Sequence, residues 1–527
     1  MKYSVNHLIL LATVSFGFLA AACGSGGGSI TSAPAPTPTS GPYSASSLNG
    51  TYAFEMSGQD SGGFFARIGS FAANGSGAVT GGVEDVNSAA IPGHGEFTFT
   101  TGSYTIQSNG KGTMSLTDPT GTLQFSIVMT STTGGLLTET DGIATASGNF
   151  TVQNTATFSS FPNSISGPYA FDFSGLDPSG AGESLVGQFT GNGGGGISGG
   201  VVDINDDFTP LGEQAITSAS FIIDSTNGPT FGRGTATFTI GGSVLNFASY
   251  LVGANHIRLL RTDYPAASIG DAVAQTGTIP TSTSGLSGSF ALILGGSSLS
   301  GADVRGGRLS LSGGTVSNIQ MDDDDSSASG SGNSNPTQIP KGTISGATYT
   351  VDPSGDGRGT ISFFDSSLKT FSFIFYLVSP TQAFIQDIST GITSDGSMQA
   401  QSGNPFTSSA AAGNWAFNWS GQSVNTKTGG FGEEDFVGQY TLGSTGSVSG
   451  AVDFTELSAS SVVINGALTG TLTIAGDGTG RNSYQIVLAT SPSATLNFSA
   501  YFIDPNTMLV VGTDTHRIIT GTVVRNF

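Results

Sequence analysis

The residues able to do chemistry are few. One cysteine, Cys23, and four histidines, His7, His94, His256 and His516, are the only thiol and imidazoles in 527 residues. A catalytic nucleophile needs a base in reach and a third group to orient that base. His7 lies in an apolar leader, the other three occupy unrelated positions, and no Gly-x-Ser-x-Gly stands on a strand-to-helix turn. This pattern argues against a hydrolytic triad. Carboxylates are the richer set: one group falls after a glycine-rich hairpin (Asp85, Asp203, Asp322, Asp453), another at a later turn (Asp141, Asp263, Asp387, Asp514). Two facing carboxylates suit glycoside hydrolysis, but acids repeated in every copy of a motif read first as strand-ending residues. The run Asp322, Asp323, Asp324 and Asp325 is the best place for a Ca2+ ion; it lacks the twelve-residue EF-hand pattern, and its competing reading is a solvated loop. The glycine turns have no lysine or helix N-terminus with which to cradle phosphate, so they read as hairpin turns.

The elements around these residues recur. Gly187 to Asn205 reads as strand, glycine turn, return strand and acid; Gly69 to Asn87 nearly repeats it, and weaker copies begin at Gly307 and Gly438. Before each copy stands Gly-x-aromatic-Ala, with Tyr52, Tyr169, Phe290 and Trp415 as the aromatic residues, recurring roughly every 120 residues. A repeat of that length can bury its own core, so the expectation is four independent beads on short Ser/Thr/Pro-rich linkers. In each, a hairpin such as Gly102–Leu116 precedes a strand with one apolar face: Leu123, Phe125, Ile127, Met129, and at the same slots Leu245, Phe247, Ser249, Leu251; Phe371, Phe373, Phe375, Leu377; Leu496, Phe498, Ala500, Phe502. About eight short strands in a meander close most naturally into an antiparallel up-and-down barrel; the runner-up is a β-sandwich. The fold expected is all-β, with four tandem repeats at 48–153, 166–277, 284–403 and 412–527. Phe371, Phe373 and Phe375 predict a solid third core, while the smaller Ser249 and Ala500 leave the second and fourth repeats room for a cavity.

Composition narrows the function. With 36 Asp+Glu against 15 Lys+Arg, the net charge is −21. Such a surface repels phosphate backbones, so nucleic-acid binding is not expected. Residues 1–22 have the parts of a secretory leader: Lys2, an apolar run from Leu8 to Leu19, then small residues. The leader ends Leu19-Ala-Ala-Ala-Cys23, which resembles the lipobox of bacterial lipoproteins, with Ala20 rather than Leu three places before the cysteine. The resemblance implies that Cys23 is lipidated and becomes the N-terminus. Gly24 and Ser25, rather than Asp, imply an outer-membrane destination. Residues 23–47, rich in Gly, Ser and Pro, form a disordered tether.

Gly50-Thr-Tyr52, Gly167-Pro-Tyr169, Gly288-Ser-Phe290 and Gly413-Asn-Trp415 resemble the Gly-x-Trp opening of lipocalin-like (calycin) barrels, where the aromatic residue plugs one end. The whole pattern also resembles the Gly-rich repeat regions of bacterial lipoproteins, a likeness that implies no particular activity. If the barrels carried ligands, Tyr52, Tyr169, Phe290 and Trp415 would be the candidate contacts; the plain alternative is that they are core plugs. The function expected is that of a lipid-anchored, non-enzymatic binding or structural module of the cell envelope, with an envelope or extracellular partner and no cofactor beyond Ca2+. Carriage of small apolar ligands is the alternative, and acid-pair glycoside hydrolysis stands third.

Overall fold

In the computed structural model the described residues are 42–526, apart from 89–90, 327–333, 340–343, 367–368, 404, 426–429, 458–460, 477–479 and 490–493. The leader, Cys23 and most of the tether lie outside them. Four closed antiparallel barrels follow one another, at Asn49–Val152, Ser166–Ala274, Gly288–Ala400 and Gly413–Arg525. Each is an eight-position meander whose first strand pairs with both the second and the last. Tyr52 lies opposite Phe71 and Val152, Tyr169 opposite Phe189 and Ala274, Phe290 opposite Leu309 and Ala400, and Trp415 opposite Tyr440 and Arg525. In barrels 2 and 4 closure pairs every strand on both sides and leaves no edge. The fourth position is a single strand in barrels 2 and 4 (Thr209–Ile223, Ser461–Thr473) but is broken in two in barrels 1 and 3 (Ile91–Thr98 with Thr101–Ile106; Thr337–Ile339 with Ser345–Val351).

The glycine that opens each motif has a packing cause. A Cβ at Gly69, Gly187 or Gly438 would come within 2.5, 2.6 or 2.4 Å of the ring of Phe54, Phe171 or Phe417, and one at Gly307 within 2.3 Å of Met321. These glycines are the seats on which large first- or third-strand side chains lie inside the barrel.

The cores correct one expectation. Ser249 and Ala500 are offset by larger residues at a second inward position: Phe173 in barrel 2 and Trp419 in barrel 4, where barrels 1 and 3 have Met56 and Leu294. Phe173 packs on Phe247 with centroids 5.0 Å apart, and Trp419 on Phe498 at 4.8 Å. Barrel 1, with only Met56 and Ile127 at these slots, retains a void of about 10 Å³ lined by Phe54, Phe71, Met114, Leu116, Phe125, Ile127, Leu137 and Phe150.

The barrels are not beads on a string. The outer faces of strands one to three of each barrel pack on strands six to eight of the next, and barrel 4 packs in the same way on barrel 1. Apolar contacts fill the joints: Ile68 and Ala66 with Tyr250 and Leu260; Ala170 and Val186 with Tyr376 and Phe384; Val304 with Val511; Ala291 with Tyr501; Val437 with Val128. The chain therefore closes into a four-membered ring. Like ends of the barrels meet at every joint. On the side of the odd-to-even hairpins, Asn87 Nδ2 donates to the carbonyls of Arg261 and Ala266, Asn205 Nδ2 to those of Asp387 and Ile392, and Ser334 Oγ to that of Asp514. On the side of the linkers, Gln153 Nε2 donates to the carbonyl of Leu251, Gln275 to that of Leu377, Gln401 to that of Phe502, and Asn526 Nδ2 to that of Asn109. The ring thus has a hairpin face and a linker face.

Candidate functional site

The acids that follow the glycine hairpins are the centres of the joints. Each sits on the outer side of a third strand and crosses to the next barrel. Asp85 accepts from Arg233 Nε and Nη2, both at 2.8 Å, and from the Tyr250 hydroxyl at 2.6 Å. Asp203 accepts from Arg358 at 2.7 and 2.9 Å and from Tyr376 at 2.7 Å. Asp322 accepts from Arg481 Nε at 2.7 Å and from the Tyr501 hydroxyl. At the closing joint Asp453 takes Lys111 Nζ at 2.7 Å, and Val128 stands at the tyrosine's place, as the strand register shows. All four carboxylates are buried; Asp85 and Asp203 take bidentate arginine pairs while Asp322 and Asp453 take one cationic nitrogen each, and this pairing is what makes a buried charge tolerable. The same pattern, acid then Arg-Tyr one repeat later, was present in the sequence but links residues of neighbouring repeats rather than residues within one.

A second set of basic residues closes the hairpin-face mouth of each barrel from inside. Arg67 meets Glu84 at 3.3 Å, Arg261 meets Glu183, Arg305 meets Asp323 at 2.9 Å and Asp387, and Arg517 meets Glu434 at 2.8 Å. In barrel 1 burial pushes the Glu84 and Glu139 carboxyls up to about 8 despite Arg67. Clamps and mouths together engage eight of the fifteen basic residues.

Carboxyls also converge on the outer side of the first and last strands of barrel 2, between its joints with barrels 1 and 3. Glu55 receives Asn149 Nδ2 at 2.8 Å and faces Arg258 at 3.2 Å; Asp271 faces His256 at 3.0 Å; Asp172 bonds Asp395 across the joint between barrels 2 and 3. Burial raises Glu55, raises Asp172 well above the carboxylate range with Asp395 adding to it, and lifts Asp395 to about 7.

The residues singled out from sequence have these places. Tyr52, Tyr169, Phe290 and Trp415 are each at most 1% exposed and lie inside their barrels; Tyr169 stacks on Phe189 at 5.2 Å, and Trp415 Nε1 donates to the Ala411 carbonyl. Asp322, Asp323, Asp324 and Asp325 end a strand, Thr315–Asp325, rather than forming a solvated loop. Strand alternation sends Asp322 and Asp324 outward and Asp323 and Asp325 inward, so the four do not converge: Asp322 binds Arg481 while Asp323 binds Arg305. Among the described residues no group of three or more His, Cys, Asp or Glu is arranged to hold a metal ion. The supposed acid pairs do not face each other either. Asp203 points into a joint, whereas Asp263 caps a turn by accepting from Asn246. Asp387 is not a counterpart of Asp141, Asp263 and Asp514. It pairs with Phe373 where Glu139 pairs with Phe125 and Arg261 with Phe247, so Ser389 holds the turn position. A void of about 10 Å³ admits one water, not an apolar ligand.

No protein-family model matches the chain, and no curated protein does. Solved structures to which the chain aligns include transferrin binding protein B from Haemophilus parasuis Hp5, a Trp-176-Ala mutant, at 8% identity and TM-score 0.21, covering 75% of this chain and 84% of that one. Transferrin binding protein B from serogroup B Neisseria meningitidis aligns at 10% identity and TM-score 0.19, over 73% and 80%. The translocation pore of the P pilus usher PapC aligns at 9% and TM-score 0.13, over 90% and 98%. Likenesses this remote carry no inference about activity.

Proposed function

We propose that this chain is an exported, lipid-anchored, non-enzymatic scaffold of the cell envelope that binds partners on the outside of a rigid ring. The observation that carries the reading is the joint. The recurrent acids that could have done chemistry are instead committed to Arg-Tyr or Lys clamps between barrels, and the barrel interiors are filled by their own aromatic side chains. Such a molecule offers surface and rigidity rather than a reacting cleft. Cys23, at the end of the lipobox-like leader, is the residue that would hold the diacylglycerol, and the tether would stand the ring away from an outer membrane. The test is to grow cells expressing the native chain and Cys23→Ser with an alkyne fatty acid and to fractionate them. The reading expects label and membrane association for the native chain and loss of both in the variant. A native chain that stays unlabelled and soluble would refute it.

A further inference from the structure

The two faces of the ring differ in a way that joint-building does not explain. Among the described residues nine large hydrophobic side chains are exposed. Eight of them stand at or beside turns of the hairpin face, among them Leu299 at 77%, Ile143 at 72%, Leu211 at 53% and Tyr264 at 48%; Ile222 is the exception. Some adjoin across a joint: a Cβ at Gly142, next to Ile143, would lie 3.7 Å from Val462 Cγ2 of barrel 4. Isolated exposed apolar residues need no account, but their segregation to one face does.

The same face is acidic. Asp141, Asp206, Asp207, Asp263 and Asp514 stand in or beside its turns and are exposed or half-buried. The arginines of the barrel mouths are already engaged by acids, and the exposed Lys369 of this face lies 3.5 Å from Asp323. In the mouth of barrel 1 the buried Asp118 and Glu139, at 5% and 1% exposure, lie against the carboxyls of Glu84 and Asp141, so four acids there share the single cation Arg67. An incoming ammonium or guanidinium would supply the counter-charge that this mouth lacks. The described chain begins beside the linker face: the Tyr43 amide bonds the Ser108 carbonyl at the turn leading into Lys111. The anchor segment therefore joins the opposite side.

We propose that the hairpin face docks a protein segment presenting lysine or arginine beside apolar side chains. The proposal rests on the reading of the chain as a binding scaffold and adds which face binds and what it recognises. Charge complementarity selects the occupant, since this face repels anionic lipid and acidic protein while its apolar side chains need a partner that can cover them.

The probe is a fluorescein-labelled amphipathic Leu/Lys peptide, titrated by anisotropy against the full chain in phosphatidylcholine nanodiscs, with empty nanodiscs as the blank. Saturable binding is expected. Replacing the peptide's lysines by glutamate should abolish it, replacing its leucines by serine should weaken it, and Leu299→Ser with Ile143→Ser in the protein should raise Kd about tenfold. Ile222→Ser should leave Kd unchanged. Circular dichroism of each variant separates lost docking from lost fold. Equal binding of the glutamate peptide, or a Kd unmoved by the Leu299/Ile143 pair in a folded variant, overturns the proposal. Binding lost only with Ile222→Ser places docking elsewhere and overturns this inference while leaving the scaffold reading standing. Failure of the Cys23 labelling test removes the anchor without touching the peptide result.

Discussion

Asp322→Ala is the sharpest perturbation of a joint. The carboxylate belongs to barrel 3, is 2% exposed, and holds Arg481 and Tyr501 of barrel 4. Removing one partner of a buried ion pair costs about 3–5 kcal/mol. The Arg481 side chain is 30% exposed, so water repairs part of its loss, and about 2–3 kcal/mol is the expected figure. Both tryptophans, Trp415 and Trp419, lie in the core of barrel 4, so intrinsic fluorescence reports that barrel alone. With a urea slope of about 2 kcal/mol/M, the fluorescence midpoint should fall by about 1 M although the substituted residue lies in another barrel. Arg481→Ala combined with Asp322→Ala should cost at least about 1 kcal/mol less than the sum of the two single changes. A midpoint unmoved within about 0.5 kcal/mol would refute the reasoning, because a surface acid on an independent barrel has no reason to stabilise its neighbour.

Three further outcomes follow from the packing. Gly187→Ala places a Cβ 2.6 Å from the Phe171 ring and 2.4 Å from the Val201 carbonyl and should destabilise barrel 2 by about 1–3 kcal/mol in a denaturant titration followed by circular dichroism. Trp419→Ala should cost about 3–5 kcal/mol, since Ala500 cannot fill the space; the thermal midpoint of barrel 4 measures it. At the closing joint Glu433 and Asp435 are buried, and burial lifts Asp435 to about 8 and Glu433 well above its usual range. A carboxyl raised in the folded state binds a proton there that the unfolded chain has released. Its contribution is therefore full below about pH 4 and is lost as pH rises through about 8, at up to about 1.4 kcal/mol per pH unit for each group. Glu433→Gln with Asp435→Asn should flatten the decline in thermal midpoint between pH 5 and 8; an unchanged slope would show that these groups are not the cause.

The sequence carried the barrel plainly, because period-two alternation and repeated glycine turns are local signals that closure merely completes. Leu496, Phe498, Ala500 and Phe502 lie inward as their alternation requires. It did not carry the ring. Asp85, Asp203 and Asp322 read as strand ends because their partners Arg233, Arg358 and Arg481 stand more than a hundred residues away in the following repeat, a separation no periodicity marks. The misalignment of Asp387 had a simpler cause: matching by residue type at a turn put a strand residue in the place of Ser389, which only pairing register could correct. The cavity expectation judged volume at one slot, whereas Phe173 and Trp419 add volume from another strand.

Closure of the ring depends on barrel 4 meeting barrel 1, the joint with the smallest apolar cluster and a lysine in place of arginine. The direct test is a Gly142→Cys/Val462→Cys pair in a Cys23→Ser background, since a Cβ at position 142 lies 3.7 Å from the Val462 side chain on the exposed rim. A closed ring predicts that mild oxidation forms an intramolecular disulfide, seen as faster migration on a non-reducing gel and protection of both thiols from maleimide. Two thiols that stay free and fully labelled in the folded monomer would contradict the ring.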